Sequence, residues 1–446
     1  MDMKLKFESL AKDLMALSPM RRTGEVTELS PERLRIRGLH GCSAGDRVMV
    51  RAVRGRLRAE IFGEISLAER QGAIVLPEGQ VAGLVPGDVA ALLGAAIIAP
   101  DPSWCGRVID PNGAPLDGLP LRQGPEARRL EAAPPPPASR RGFGARLSTG
   151  QAVFDTMLPL VRGQRLGLFA GSGVGKSSLL AQLARGVAAD VTVIALVGER
   201  GREVRHFTQT VLGREGLARS VVVAATSDQP AVLRRRCLLT AMAVAEFFRD
   251  RGAQVLLLVD SVTRFAEAHR EIALTSGELA SLRGYPPSTA HALMSLCERA
   301  GPGEGAAGDI TAIFSVLVAG SDMEEPIADI LRGTIDGHVV LSRSIAERGR
   351  YPAVDLLRSV SRSLPAAASA EENLLIAEAR KLLSAFDRAE MMIQAGLYVA
   401  GSDPLIDRAL QLWPGLDGFL AEAAPGGGNM ASFDRLRQLL SVQPRV

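Results

Sequence analysis

The chain has 446 residues, 47% of them hydrophobic, and its 52 Lys and Arg against 49 Asp and Glu leave a formal net charge of +3. So small a charge argues against nucleic acid as a partner, and no apolar run of the roughly 18 residues that span a bilayer occurs. The four cysteines form no CxxC pair, which predicts reduced thiols in a cytoplasmic protein. The length leaves room for about two to four domains.

The first predicted segment covers residues 1–20. Leu5, Leu10, Leu14 and Leu17 could share one face of a helix. The segment lacks the continuous apolar core of a secretory signal. Two interpretations stay open, since such a helix could pack on its own domain or could bind a partner or a membrane surface.

Residues 21–93 show short strands separated by turns. The predicted strands are 34–38, 47–53, 73–76 and the segment 83–87. Many short strands with turn residues between them are typical of a small closed sheet. We therefore predict a β-barrel domain over 21–93.

Residues 94–365 form the next predicted domain, and 366–446 the last. After a stiff connector of four prolines at 134–137, apolar strands alternate with helical runs, which predicts a mostly parallel α/β sheet. The predicted strands are 165–169, 191–197, 255–259, 310–318 and 339–341. Beyond 366 the chain is rich in helix formers, with few breakers over 371–394, which predicts a C-terminal helical domain.

A glycine-rich segment, Ala-Gly-Ser-Gly-Val-Gly-Lys-Ser at 170–177, follows the first strand of this sheet and precedes an apolar helical run. Its glycines allow a tight turn that aims N–H groups at phosphate oxygens, and the helix adds its positive N-terminus. Lys176 would reach the β- and γ-phosphates, and the Ser177 hydroxyl would hold Mg²⁺. The residues predicted to bind the nucleotide here are Gly171, Ser172, Gly173, Val174, Gly175, Lys176, Ser177 and Ser178.

Two acidic residues follow other strands of the predicted sheet. Asp260 comes directly after the apolar run 255–259, where a carboxylate would join the Mg²⁺ shell. Glu199 follows the strand 191–197 and is the candidate that would orient and activate the attacking water. The alternative for Glu199 is a surface carboxylate paired with Arg200 or Arg202.

A cation near the edge of this domain is a further candidate catalytic residue. Charge spread over γ-phosphoryl oxygens in the transition state favours a nearby cation, and Arg362 in Ser-Val-Ser-Arg at 359–362 could reach the nucleotide of a neighbouring subunit. From spacing alone, a structural ion pair of Arg362 is the favoured interpretation.

Together these segments resemble the flagellar protein-export ATPases, which belong to the type III secretion ATPases and are relatives of the rotary ATP synthase alpha and beta subunits. The resemblance runs from about residue 24 to residue 420. It rests on the segments 170–177, 198–203, 260–264, 270–272, 283–288, 325–329, 336–338, 351–355, 359–362 and 401–404.

The resemblance implies a RecA-like P-loop ATPase core in a homo-hexameric ring, with ATP and Mg²⁺ at the subunit interfaces. It implies that Lys176 binds phosphate, that Glu199 is the catalytic carboxylate and that Arg200 lies near the γ-phosphate. It further implies that Arg362 acts in trans and that Tyr351 stacks on the adenine.

The resemblance also implies partners and a location. The N-terminal helix would bind a regulatory, stator-like partner. The C-terminal domain would face a stalk protein, export-gate membrane proteins and chaperone–substrate complexes. The protein would be cytoplasmic and peripherally associated with the inner membrane at the flagellar base.

Three alternatives have different consequences. A virulence-type secretion ATPase would share the same chemistry. A rotary ATP synthase subunit of the non-catalytic type would be expected to lack a carboxylate at Glu199. A hexameric nucleic-acid translocase or an RNA-binding module would need aromatic platforms, and the strand-rich N-terminal region offers only Phe62. Segments 278–282 and 363–365 depart from the usual family pattern, but neither departure removes a catalytic group.

Overall fold

The computed structural model describes residues 21–54, 57–318, 323–424 and 428–441, so the predicted helix over 1–20 lies outside the described residues. The chain divides into two compact units. One comprises the chain up to Ala96 together with 230–232 and 271–279, and the other comprises the remainder.

Six strands of the first unit close into a barrel in the order β1-β2-β5-β4-β3-β6, with antiparallel neighbours throughout. The alternation of apolar and charged residues explains the barrel. In β2, Leu34 and Ile36 are buried in its core while Arg35 and Arg37 point outward. The strands are β1 Thr23–Leu29, β2 Leu34–Arg37, β3 Asp46–Arg54, β4 Leu57–Glu69, β5 Gly72–Pro77 and β6 Val89–Ala95.

The predicted barrel is confirmed, but one predicted strand is wrong. Residues 83–87 form turns, and the strand follows at Val89–Ala95. Gly83 and Gly87 have φ of +91° and +96°, left-handed values that suit a turn and not a strand. Strands β1 and β4 were not among the predicted ones.

The second unit is built on an eight-stranded sheet in the order β16-β15-β10-β14-β13-β11-β12-β8, whose neighbours are parallel except for the antiparallel pair β15–β16. Every residue of β13 is buried, as expected for a strand covered on both faces. The strands are β7 Ile97–Ile98, β8 Arg107–Ile109, β9 Arg128–Arg129, β10 Arg165–Ala170, β11 Val191–Glu199, β12 Ser220–Thr226, β13 Val255–Asp260, β14 Ile310–Leu317, β15 Gly337–Leu341 and β16 Val354–Ser361.

The five predicted strands correspond to β10, β11, β13, β14 and β15, and the parallel sheet is confirmed. The helices are α1 Ala152–Asp155, α2 Lys176–Gly186, α3 Gly201–His206, α4 Gly213–Ala218, α5 Ala231–Arg249, α6 Val262–Thr275, α7 Pro287–Arg299, α8 Pro326–Thr334, α9 Arg343–Glu347, α10 Ala370–Gln394, α11 Pro404–Phe419 and α12 Gly428–Leu440. Short 3₁₀ turns lie at Pro102–Trp104 and Leu282–Gly284, and a π-helical turn at Phe207–Leu212.

Helices α10, α11 and α12 form the C-terminal helical part of the second unit. Helix α10 begins with a capping box in which Ser369 and Glu372 satisfy each other's backbone N–H groups. Phe386 of α10 stacks on Trp413 of α11 with the ring centroids 4.5 Å apart. The predicted C-terminal helices are therefore confirmed. Within the described residues, none of the helices is long and apolar enough to cross a membrane.

A buried ion pair joins two helices of the second unit. Arg299 of α7 donates to both carboxylate oxygens of Glu246 of α5, at 2.8 and 2.7 Å, and to the carbonyl of Leu130 at 2.7 Å. Both charged side chains are almost fully buried. Because each charge needs the other in such a place, the pair holds these helices in one arrangement.

Candidate active site

The phosphate loop links β10 to α2, because the strand ends at Ala170 and the helix begins at Lys176. Gly173 and Gly175 have φ of +79° and +85°, so both positions need the conformational freedom of glycine. Val174 between them is 2% exposed and packs into the core of the unit. The Val174 side chain thus anchors the loop, and only the backbone of this residue can face a ligand.

The loop borders a cavity of about 1180 Å³. Carboxyl ends of neighbouring parallel strands meet at one edge of a sheet, which is where open α/β sheets bind ligands. The residues that line the cavity are Ala170, Gly171, Ser172, Gly173, Gly175, Lys176, Ser177, Ser178, Gly198, Glu199, Arg200, Glu203, Ser227, Arg234, Thr263, Arg264, Glu267, Arg283, Tyr285, Leu317, Val318, Glu325, Pro326 and Ile327.

Lys176 and Asp260 are in direct contact beside this cavity, with the lysine Nζ donating to Oδ1 of the carboxylate. Ser315 Oγ of β14 donates to the same oxygen at 2.9 Å. Both charged side chains are largely buried, so each compensates the cost of burying the other. The arrangement places a fixed cation and a fixed carboxylate next to the phosphate loop.

Glu199 ends strand β11, which pairs in parallel with β13. The pKa of the Glu199 carboxyl is raised to about 7, mainly by burial and also by the negative charge of Asp260, while the positive charge of Lys176 opposes the rise. The ion pair of Arg200 is with Glu203, at 3.5 Å. Glu203 also hydrogen-bonds to Glu199 and adds to the rise in its pKa. Such a carboxyl changes its protonation state near neutral pH, as a general base must.

Three arginines that the sequence analysis did not single out line the cavity, namely Arg234, Arg264 and Arg283. Arg264 lies in the first turn of α6, four residues after Asp260, and bonds to Glu267 at 2.8 Å. Its place on the helix that follows a strand of the site was a signal that could have found it. Arg283 opens the segment 283–288, which contributed to the resemblance, whereas Arg234 lies in α5, where the sequence gave no such signal. Together with Lys176 and Arg200, these arginines supply cations that suit a polyphosphate, although the glutamates Glu199, Glu203, Glu267 and Glu325 line the same cavity.

Tyr351 and Arg362 were also predicted as site residues, and neither lines the cavity. The Tyr351 ring nevertheless lies against the phosphate loop, because a Cβ added to Gly175 would be 3.0 Å from its Cδ1 atom. Tyr351 is 51% exposed. Arg362 is exposed and donates to the carbonyl of Arg332 at 3.1 Å, which is a backbone contact and not an ion pair.

The residues at this site fit Mg²⁺. Ser177 lines the cavity, and Asp260 contacts Lys176 beside it. A hydroxyl and a carboxylate are the hard oxygen donors that this ion prefers, and Mg²⁺ usually takes few protein ligands beside phosphate and water. No group of three or more His, Cys, Asp or Glu side chains that could hold a metal occurs among the described residues.

The fold and the site define a phosphate-loop nucleotide-binding protein. The profile described as "ATP synthase alpha/beta family, nucleotide-binding domain" matches residues 150–361, and that of the "T3SS EscN ATPase C-terminal domain" matches 368–441. The chain is 45% identical to the flagellum-specific ATP synthase of Caulobacter vibrioides over 406 residues, which cover 88% of this chain and 91% of that protein.

Other relatives agree with this match. The flagellum-specific ATP synthase of Salmonella typhimurium is 42% identical over 92% of this chain and 91% of its own length. The type 3 secretion system ATPase of Xanthomonas euvesicatoria is 39% identical over 97% of this chain and 96% of its own. The assembled ATPase EscN of enteropathogenic E. coli superposes with a TM-score of 0.86 at 34% identity, covering 94% of this chain and all of the EscN chain. This chain belongs to the family of flagellum-specific ATP synthases and type III secretion ATPases.

The predicted family and fold class are thereby confirmed, and the chain is an ATPase of the ATP synthase alpha/beta type. The individual roles of Lys176, Glu199, Arg200, Asp260 and Arg362 remain predictions that the geometry above makes specific.

Proposed function

We propose that this chain hydrolyses ATP in a homo-hexameric ring and that this hydrolysis energises the export of flagellar proteins. The observation that carries the proposal is the convergence of Lys176, Asp260 and Glu199 beside one phosphate loop, in a chain 45% identical to a flagellum-specific ATP synthase. The similarity to a type 3 secretion system ATPase is lower, at 39%, which favours the flagellar over the virulence function.

The loop residues and Lys176 bind the phosphates of ATP. The loop residues 171–173 and 175–177 line the cavity, so their backbone N–H groups would meet the phosphate oxygens, and the Lys176 ammonium would add a compact charge at the β- and γ-phosphates. Ser177 and Asp260 would hold Mg²⁺, which when bound neutralises charge on the phosphate oxygens. The contacts of Asp260 with Lys176 and Ser315 hold its carboxylate in place for this role.

Glu199 acts on the attacking water. Its position at the end of β11 places it at the cavity wall, and its raised pKa makes its carboxylate a stronger base than an ordinary glutamate. Arg200, on the same wall, would offset charge on the γ-phosphate.

Arg362 completes the site of a neighbouring subunit. This arginine is exposed and does not line the cavity of its own chain, which is what an arginine acting in trans requires. The solved relative EscN is described as an assembled ATPase, and a second structure of it contains the central stalk EscO. These support a ring and a stalk partner for this chain.

The far end of the C-terminal helices offers a partner surface. Met391 near the end of α10, and Leu397 and Val399 in the connection to α11, are large apolar side chains that are mostly exposed. A cluster of this kind is typical of a protein interaction site. We assign it to the stalk, the export-gate proteins or chaperone–substrate complexes, with the protein peripherally bound at the cytoplasmic face of the inner membrane and the 1–20 segment bound to a regulatory partner.

An export assay tests the proposal. In the bacterium that carries this chain, deletion should abolish secretion of flagellar filament and hook proteins, and a plasmid copy of the parent chain should restore it. A Lys176→Ala copy, expressed at the same level, should not. If the deletion abolished the secretion of virulence-type effectors and left flagellar secretion normal, the flagellar assignment would be wrong. Secretion restored by the Lys176→Ala copy would contradict the need for ATP hydrolysis.

A further inference from the structure

The loop after α9 carries two arginines that contact acidic residues of the C-terminal helices. Arg350 Nε lies 3.0 Å from Asp417 Oδ1 on α11, and Arg350 Nη2 donates to the carbonyl of Val354 at 2.8 Å. Two residues earlier, Arg348 Nη1 donates to Glu390 of α10 at 3.2 Å. These two pairs differ in their surroundings, and that difference separates their roles.

Arg350 is a buried charge, with only 8% of its side chain exposed, whereas Arg348 is 48% exposed. Two nitrogens of Arg350, Nε and Nη1, are buried without a hydrogen bond of good geometry. Burial lowers the pKa of Arg350, and the charge of Asp417 opposes that change. Because a buried guanidinium is costly without an opposite charge, Asp417 determines where Arg350 can lie.

Tyr351 follows Arg350 directly, and adjacent Cα atoms lie about 3.8 Å apart across a trans peptide bond. The far side of the loop is fixed as well, since the Ser342 N–H donates to the carbonyl of Ala353 at 2.9 Å. The Tyr351 ring, held between these two points, lies 3.0 Å from the place of a Cβ on Gly175. Tyr351 is about half exposed, so the backbone anchors on either side of this residue help to decide the position of its ring.

We propose that Arg350 is a positioning residue for the nucleotide base: its ion pair with Asp417 holds the Tyr351 ring beside the phosphate loop. This inference rests on the proposed role of Tyr351 as the adenine platform. Helix α11 thereby becomes part of the nucleotide site, although none of its residues lines the cavity at the phosphates. The pair acts on the base alone, because the phosphates are held by the loop and Lys176.

The experiment compares a ligand that has the base with one that lacks it. Dissociation constants for ADP and for inorganic triphosphate are measured by calorimetry on the full chain. Arg350→Met and Asp417→Asn should each weaken ADP binding about ten-fold and leave triphosphate binding unchanged, since stacking on an aromatic ring contributes free energy of this order. The double variant should be no weaker than either single variant, because both remove one interaction.

Arg348→Met is the matched control, since it removes an exposed arginine of the same loop, and it should bind ADP as the parent does. Arg350→Lys keeps the charge and should recover part of the ADP affinity, which a purely structural loss would not show. Arg350→Lys also tests the proposal if Arg350→Met fails to fold. Parent-like ADP affinity in Arg350→Met and Asp417→Asn would overturn the proposal, as would equal weakening of ADP and triphosphate.

Tyr351→Ala separates this inference from the proposal on which it rests. If Tyr351→Ala leaves ADP binding unchanged, the assignment of Tyr351 as the adenine platform is itself wrong. If Tyr351→Ala weakens ADP binding and the Arg350 and Asp417 variants do not, only the positioning role is wrong.

Discussion

Replacing Glu199 with Gln tests the proposed hydrolysis most directly. The substitution keeps the size and shape of the side chain but removes the carboxylate that would accept a proton from water. General-base catalysis contributes about 10²- to 10⁴-fold to a rate, which corresponds to about 3–5 kcal/mol of transition-state free energy. The upper part of that range is expected, because the structure raises the pKa of Glu199 to about 7, close to the optimum for a base at neutral pH.

Nucleotide binding should survive the substitution. Glu199 is a negative charge near Asp260 and Glu203, and its conversion to a neutral amide removes repulsion from these groups and from the phosphates of ATP. The affinity of Glu199→Gln for ATP should therefore equal or exceed that of the parent. Phosphate release under steady-state conditions measures the rate, and a fluorescent ATP analogue measures the binding.

The matched control is Glu267→Gln, which neutralises another carboxylate of the same cavity, one that is 34% exposed and pairs with Arg264. It should keep its kcat within a few-fold of the parent, since a partly exposed pair contributes little. The reasoning fails if Glu199→Gln turns over within ten-fold of the parent, or if Glu267→Gln loses as much activity as Glu199→Gln.

Three further outcomes are expected. Because Glu199 must be ionised to act and its pKa is raised to about 7, kcat/KM should rise with pH through the neutral range and then level off. ATP binding to Glu199→Gln, measured over the same pH range, corrects for titration of the nucleotide. A flat pH profile of kcat/KM would contradict the assignment of Glu199 as the base. Arg362→Ala should lose about 10³-fold or more in kcat. Mixing Arg362→Ala subunits with inactive Lys176→Ala subunits should recover part of the activity if Arg362 acts in trans. The absence of recovery in mixed rings would argue against a role in trans. Glu246→Ala should lower the free energy of unfolding by about 3–5 kcal/mol in urea denaturation, since it leaves the buried guanidinium of Arg299 without its carboxylate. The control Glu371→Ala, in an exposed pair, should change the free energy of unfolding by less than about 1 kcal/mol. Equal losses in the two variants would refute the argument from burial.

Local sequence was sufficient for those parts of the molecule whose information is contiguous. The phosphate loop at 170–177 requires glycines, a lysine and a serine in one short run, and the buried strand before Asp260 is one apolar run that ends in a carboxylate. The parallel sheet followed from the alternation of strands and helices, and the resemblance to a known family followed from several such segments together.

Some local patterns were misleading. The segment 83–87 carries apolar residues between two glycines and was predicted as a strand, yet both glycines adopt left-handed conformations in turns. Val174 belongs to the phosphate loop by sequence, but its side chain lies in the core. In both places the backbone conformation decided the outcome, and residue type alone does not specify it.

Contacts between distant residues were decided only by the tertiary structure. The sequence identified Lys176, Asp260 and Glu199 as separate candidates. The strand order placed Lys176 and Glu199 at one cavity, which Arg234 and Arg283 also line, and placed Asp260 in contact with Lys176 beside it. The raised pKa of Glu199 arises from burial and from a neighbouring carboxylate, neither of which is a local property. Long-range electrostatics and burial depend on how the chain folds back on itself, and so they could be read only from the folded protein.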